Sequence, residues 1–387
     1  MPFDLVDAAT IRAGDATDAY FDRALAALDV ADRDPTVTAA VTADQLPTGR
    51  SLVLAGVRAV AELLEPLGVS VEAVPPGRIV DGGPLMQITG RYRSFARYET
   101  AIIGLLSQAS AMATAALRVR LAAPETPVYS FGARHVHPAI APVVERSALI
   151  AGLDGISHVA AGRQLGVDPV GTMPHALLLC FGRDAQPAAW VAFDEAVDDT
   201  VPRIALCDTF DDEVTEVRAA VETLGERLEA VRLDTTHSRR GDFAQIITEV
   251  RWHLDDLGAA DVDIFVSGGL GPAELTDLAP HVDAFGVGGA ITGARPLDIA
   301  LDLVAVDGAA VSKRGKLPGV KQLYRHDDGT HTVVPGDAPA PTGATPLLEP
   351  LLADGRPTAV ALGWEAAAAR CAADVRAVGL DGEQLRR

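Results

Sequence analysis

Paired glycines close two successive short apolar runs, Gly268 and Gly269 after Ser267, then Gly288 and Gly289. Glycine costs backbone entropy, so a pair at a strand end points to something that approaches the main chain closely. An anion fits, because bare N–H groups at a tight turn and a helix start favour negative charge. Sharp strand-to-helix turns alone would also use these glycines. Polar residues collect at the ends of other apolar runs: Arg134, His135 and His137 in "YSFGARHVHP", Ser157 and His158 in "DGISHVAAG", Thr172 and His175 in "PVGTMPHALL". Asp208 and Thr209 follow in "IALCDTFDDE", then Arg232 and Asp234 in "AVRLDTTHSRRGD". A neutral histidine nitrogen is a nucleophile near pH 7, arginine pairs with phosphate, and the aspartates can orient a Mg²⁺-bound diphosphate. Each also has a structural alternative, since arginine–aspartate pairs tie barrel mouths together and strand-end histidines cap loops. The histidines are too dispersed for a zinc site, and Cys180, Cys207 and Cys371 form no disulfide framework, so no protein-held metal is expected.

These residues need strands to bring them together. From 124 to 293 the pattern alternates strand and helix, with strands expected at 128–131, 155–158, 169–172, 203–207, 230–233, 263–267 and 284–287. Helices are expected between them at 139–150, 188–196, 213–228 and 243–257. Such alternation predicts a parallel sheet, closed into an irregular, incomplete β/α barrel, with a doubly wound open sheet as the competitor. Barrel enzymes keep their chemistry where the strands end, which is where the polar residues fall.

Residues 1–123 read as a separate α+β domain: a helix near 20–28, a strand at 35–41, a helix over 51–67, strand-like pieces over 69–89 and a long apolar helix from Glu99. Residues 294–387 return to strand and loop composition, with a Pro/Gly-rich linker, "VPGDAPAPTGATP", and a final helix over 364–378.

The 53 acidic and 33 basic residues give a formal charge of −20, which argues against nucleic acid or an anionic membrane as a partner. An acidic surface adapted to high salt and an ordinary acidic enzyme both suit this balance. The start, "MPFDLVDAATIRAG", lacks a basic, apolar leader, and no apolar run of spanning length is expected, so a cytoplasmic location is the expectation.

Taken together, "TDAY", "ETAIIGLLSQAS", "GVKQLYR" and above all "SFGARHVHPAIAPVVERSALIAGLDGISHVAAGRQLGVDPVGTMPHALLL" resemble nicotinate phosphoribosyltransferases, of the type II phosphoribosyltransferase family. The resemblance implies an N-terminal α+β domain beside the irregular barrel, and ATP-coupled joining of nicotinate to phosphoribosyl diphosphate in pyridine nucleotide salvage towards NAD. It implies that His175 carries phosphate from ATP and that Arg232 and Asp234 hold the sugar diphosphate, with Mg²⁺ as the expected metal. Ser267, Gly268, Gly269, Gly288 and Gly289 would take the 5-phosphate, and Arg134 would lie near the pyridine. Tyr20 would reach the pyridine of a neighbouring subunit in a head-to-tail dimer. On chemical grounds Tyr20 and Phe131 suit the ring, and Arg134, Ser157 or His158 suit its carboxylate, with Asp208 also placed at the substrate. Departures include a single Arg134 followed by His135 where an arginine pair is common. Only Cys371 stands where some relatives have a cysteine-rich zinc knuckle, and His158 falls where acid-using and amide-using relatives differ. The alternatives are a decarboxylating quinolinate phosphoribosyltransferase and a non-catalytic phosphate-binding barrel.

Overall fold

A computed structural model describes residues 5–43 and 51–379. The outermost residues of the expected 1–123 and 294–387 segments, and the first four of the stretch read as carrying no leader, lie outside the described residues. The chain groups into two compact units, one of Met1–Thr114, Ile150–Gly152 and Ala294–Arg387, the other of Ala115–Leu149 and Leu153–Gly293.

The first unit holds a seven-stranded antiparallel sheet. Its strands run Ala309–Ala310, Ala300–Val306, Thr36–Thr42, Pro84–Arg91, Ser70–Ala73, Glu349–Ala353 and Arg356–Pro357 in spatial order. N-terminal strands thus take the middle and C-terminal strands both flanks. Thr36–Thr42 is buried from Val37 to Val41 without alternation, as expected of a strand covered on both faces. The helix expected over 51–67 is instead a two-residue strand, Leu52–Val53, and a helix, Val57–Leu64. Gly56 separates them at φ 82, where a Cβ would lie 2.3 Å from the Leu105 carbonyl oxygen. The stretch Tyr92–Ala122 is long and apolar enough to cross a membrane by length and composition, which corrects the expectation that no run reaches that length. Yet 61% of its most apolar window is buried in the fold. Its Ser110 and Thr114 hydroxyls accept the backbone N–H groups of Ala55 and Val53 at 3.0 and 2.9 Å.

The second unit holds six parallel strands: β1 (Val128–Ser130), β2 (Gly155–Ile156), β3 (Ile204–Leu206), β4 (Ala230–Leu233), β5 (Asp263–Ser267) and β6 (Ala284–Val287). Their order is β2-β1-β6-β5-β4-β3, all parallel. That order follows the chain around a ring, without the reversal of a doubly wound sheet, and it stays open between β2 and β3. The strand expected at 169–172 would stand in this gap but does not form. Pro169 has no N–H to give, and Val170 makes one backbone bond, to the Ile156 carbonyl at 2.7 Å. The strand expected over 155–158 is likewise only two residues long. Helices Ala141–Ile150, Gln186–Ala196, Glu213–Leu224 and Phe243–Asp256 occur where the apolar periodicity places them. The third is shorter than its expected 213–228, because Gly225 turns to φ 53 after Leu224.

Candidate active site

Five of the six strands of the second unit, all but β3, hand their next residues to one cavity of about 760 Å³. Phe131 follows β1, Ser157 follows β2, Asp234 follows β4, Gly268 and Gly269 follow β5, and Gly288 and Gly289 follow β6. Arg134, His135, Thr172, His175, Arg232 and Ser267 also line it. Parallel strands place their C-terminal ends together, so residues far apart in sequence meet on one rim.

Arg232 organises the floor. Its guanidinium donates to Ser267 Oγ at 2.9 Å, Thr172 Oγ1 at 2.7 Å and Asp234 Oδ2 at 3.0 Å, and lies 5.4 Å from the centroid of Phe131. Burial draws its pKa down, while Asp234 and Asp208 oppose that shift. Phe131 stacks on Phe265 with centroids 5.7 Å apart and covers Gly286, where a Cβ would come within 2.5 Å of the ring.

His175 begins the helix His175–Phe181 but does not cap it; the N-cap is Pro174, without a side-chain bond. Its Nε2 instead bonds Asp208 Oδ1 at 2.9 Å. A carboxylate accepts, so Nε2 is the donor and, in the neutral ring, Nδ1 keeps the lone pair. That bond is the main cause of a raised His175 pKa, with burial opposing it. Asp208, expected to touch substrate, does not line the cavity. Its side chain is 2% exposed, and its second oxygen accepts the Asp234 N–H at 2.6 Å. His158 is also away from the cavity lining: it caps the helix Val159–Leu165, its Nδ1 accepting the Ala161 N–H at 3.2 Å. Tyr20 belongs to the first unit, on the first turn of Ala19–Val30, and is 56% exposed.

The four glycines differ. Gly268 sits at φ 91, and a Cβ there would meet Asp234 Oδ1 at 2.3 Å. At Gly288 a Cβ would meet the Phe131 carbonyl oxygen and His135, both at 2.8 Å. These two are required by the protein's own packing. Gly269, at φ 65, is required by its backbone conformation. Gly289 has no positive φ and no protein atom within 4 Å of a Cβ, yet it lines the cavity. No packing contact from outside its own turn demands a bare backbone there; a ligand seated on the backbone would.

Three residues escaped the sequence reading. Arg240 is buried and donates to the carbonyls of Thr235, Ser267 and Gly268, stacking 4.7 Å from the centroid of Phe243. Glu216 is buried and accepts the backbone N–H groups of Thr209, Phe210 and Asp211, which shapes the loop after Asp208. Glu145, fully buried, accepts both the N–H and the hydroxyl of Ser157, each at 3.3 Å. Each is one charged residue on a helix or loop of many, so only its burial distinguishes it.

A protein-held metal would need a ligand cluster, and no group of three His, Cys, Asp or Glu suited to a metal occurs among the described residues. Both Asp208 oxygens are engaged, which leaves Asp234 as the carboxylate facing the cavity. That suits a Mg²⁺ arriving on a diphosphate, which needs few protein ligands.

Comparison with known proteins agrees with this geometry. The family described as quinolinate phosphoribosyl transferase, C-terminal domain, matches residues 112–302, and the corresponding N-terminal domain matches residues 18–110. A nicotinate phosphoribosyltransferase of Mycobacterium tuberculosis is 34% identical over 306 residues, covering 74% of this chain and 64% of that protein. The chain thus spans under two thirds of that relative's length. The crystal structure of nicotinate-nucleotide pyrophosphorylase from Pyrococcus furiosus is 46% identical, with a TM-score of 0.94 over 98% of this chain and 100% of that one. Human nicotinic acid phosphoribosyltransferase shares the fold at 21% identity, with a TM-score of 0.79 over 96% of both chains. A parallel strand ring with a glycine-lined, arginine-floored rim, matched over its whole length by such relatives, has one reading: the chain belongs to the type II phosphoribosyltransferase family.

Proposed function

We propose that this protein joins nicotinate to phosphoribosyl diphosphate, releasing diphosphate and forming nicotinate mononucleotide, with ATP consumption coupled through His175. The observation that carries the phosphoribosyl part is the side-chain-free floor at Gly289 in the cavity that the Arg232–Asp234 pair also lines. The backbone there takes the 5-phosphate, and Asp234 faces the positive character that develops at the anomeric carbon as its bond to diphosphate breaks. The pyridine nitrogen attacks that carbon, and the bond electrons leave with the diphosphate. Mg²⁺ held by Asp234 would neutralise charge on this leaving group.

Nicotinate is favoured over quinolinate by the number of cations. Arg134 and Arg232 are the arginines lining the cavity among the described residues, no lysine joins them, and Arg232 is engaged by three partners. One exposed arginine suits one carboxylate. His175, held at Nε2 by Asp208 with Nδ1 left as nucleophile, supports the phosphate relay.

The second reading is quinolinate phosphoribosyltransferase. It draws on the family descriptions matched by residues 18–110 and 112–302 and on the name of the Pyrococcus furiosus structure. Turnover of nicotinate, nicotinamide and quinolinate, each with phosphoribosyl diphosphate, Mg²⁺ and with or without ATP, separates the two. Carbon dioxide release from quinolinate and no product from nicotinate would overturn the proposal.

A further inference from the structure

A fully buried acid stands directly behind the cavity at Ser157. Glu145 lies on Ala141–Ile150, and its Oε1 is 3.3 Å from both the Ser157 nitrogen and the Ser157 hydroxyl. Its Oε2 is buried without a hydrogen-bond partner, as is the hydroxyl of Ser130 at the end of β1. Among the described residues Glu145 makes no ion pair. Ser157 itself lines the cavity, so its hydroxyl has two calls on a single proton: Glu145 behind it and whatever lies in front.

We propose that Glu145 is a positioning residue which sets whether Ser157 presents its proton or its lone pairs to the substituent on the pyridine ring, and so selects a ring carboxylate over a carboxamide. This rests on the reading that a pyridine acid binds here. Burial raises the Glu145 pKa, although the hydrogen bonds from Ser157 and the charge of His158 oppose it. When neutral, the Glu145 carboxyl is a weaker acceptor than a carboxylate and releases the Ser157 proton to a substrate carboxylate. It also leaves no negative charge behind the place where that carboxylate sits. An ionised Glu145 would hold the proton, turn lone pairs to the cavity and favour an amide N–H.

The test is a double-mutant cycle on Glu145 and Ser157, read as kcat and KM separately. The acid that the wild-type enzyme prefers, nicotinate or quinolinate, is used, with nicotinamide in parallel. Glu145→Gln, a neutral isostere, is expected to keep the KM for the acid within about threefold, because it mimics the uncharged form. Glu145→Ala is expected to raise that KM about tenfold with kcat within about twofold, and to raise it under twofold in a Ser157→Ala background. Glu145→Leu replaces Glu145→Ala in the cycle if the latter fails to fold. Equal effects of removing Glu145 with and without the Ser157 hydroxyl would overturn the inference, since a merely structural role acts in both. So would a Glu145→Gln enzyme as impaired as the alanine variant. Wild-type preference for nicotinamide would overturn both the inference and the proposed substrate, whereas preference for quinolinate would overturn the substrate alone.

Discussion

The imidazole of His175 and the carboxylate of Asp208 lie 2.9 Å apart, and the other oxygen of that carboxylate holds the Asp234 backbone N–H at 2.6 Å. One buried aspartate therefore fixes both the proposed phosphate carrier and the residue proposed to face the sugar. Four of its consequences and neighbours are open to direct measurement, and a fifth concerns Tyr20.

Asp208 raises the His175 pKa above its ordinary 6.5. A raised histidine pKa stabilises the fold below the unfolded value, and that stability is lost as pH climbs through the folded value. Asp208→Asn should move the His175 titration down, as followed by NMR of the ring protons. It should also remove stability at pH 5.5 more than at pH 8.5 in urea unfolding. A His175 titration unchanged by Asp208→Asn would contradict the geometry.

If His175 accepts phosphate, labelled ATP should leave an acid-labile, base-stable label on the wild-type protein and none on His175→Ala. The variant should keep a slow reaction that ATP no longer stimulates, because Arg232, Asp234 and the glycine floor remain. ATP stimulation retained by folded His175→Ala would end the phosphohistidine assignment.

The glycines should separate folding from binding. Gly289→Val meets open space, so its melting temperature should match wild type while the KM for phosphoribosyl diphosphate rises more than tenfold. Gly268→Val must force a side chain into Asp234 at φ 91 and should lose about 1–3 kcal/mol of stability as well. The loss of affinity at Gly268 then comes from the displaced Asp234 as much as from a blocked anion. Normal affinity in a folded Gly289→Val protein would remove the phosphate from this loop.

Arg240 ties the loop after β4 to the loop after β5 through three carbonyls. Arg240→Ala should cost about 1–3 kcal/mol through unpaired carbonyls and raise the KM for phosphoribosyl diphosphate. Arg240→Lys should rescue little, because an ammonium cannot reproduce the fork or the stacking on Phe243. Denaturant unfolding and steady-state kinetics of the two variants check both statements.

Tyr20 is 56% exposed, so Tyr20→Ala should leave the melting temperature within about 2 °C of wild type. If it completes a neighbour's site, mixing Tyr20→Ala with Arg232→Ala should recover activity in hybrid dimers. Verified subunit exchange without recovery would place Tyr20 outside the reaction.

The sequence by itself determined the strand-and-helix alternation, because apolar periodicity and paired glycines are local signals. Five of the six barrel strands and four helices stand within a few residues of the positions that pattern predicts, and β2 is present but shorter. It also pointed to strand ends whose residues, Phe131, Ser157, Asp234 and the paired glycines among them, line the cavity. Local pattern misled where a partner was needed: residues 169–172 look like a strand but have Pro169 and too few bonds to join the ladder. Only the tertiary structure decided which strand-end residues face the cavity. Asp208 and Asp234 both follow a strand within two residues, yet one is buried behind His175 and the other lines the opening. His158 and Ser157 are adjacent, and one caps a helix while the other meets the cavity. The supports, Arg240, Glu216 and Glu145, were invisible for the same reason. A charge on a helix or loop reads as solvated until packing removes its water, and burial is a property of the assembled fold, not of any local stretch of chain.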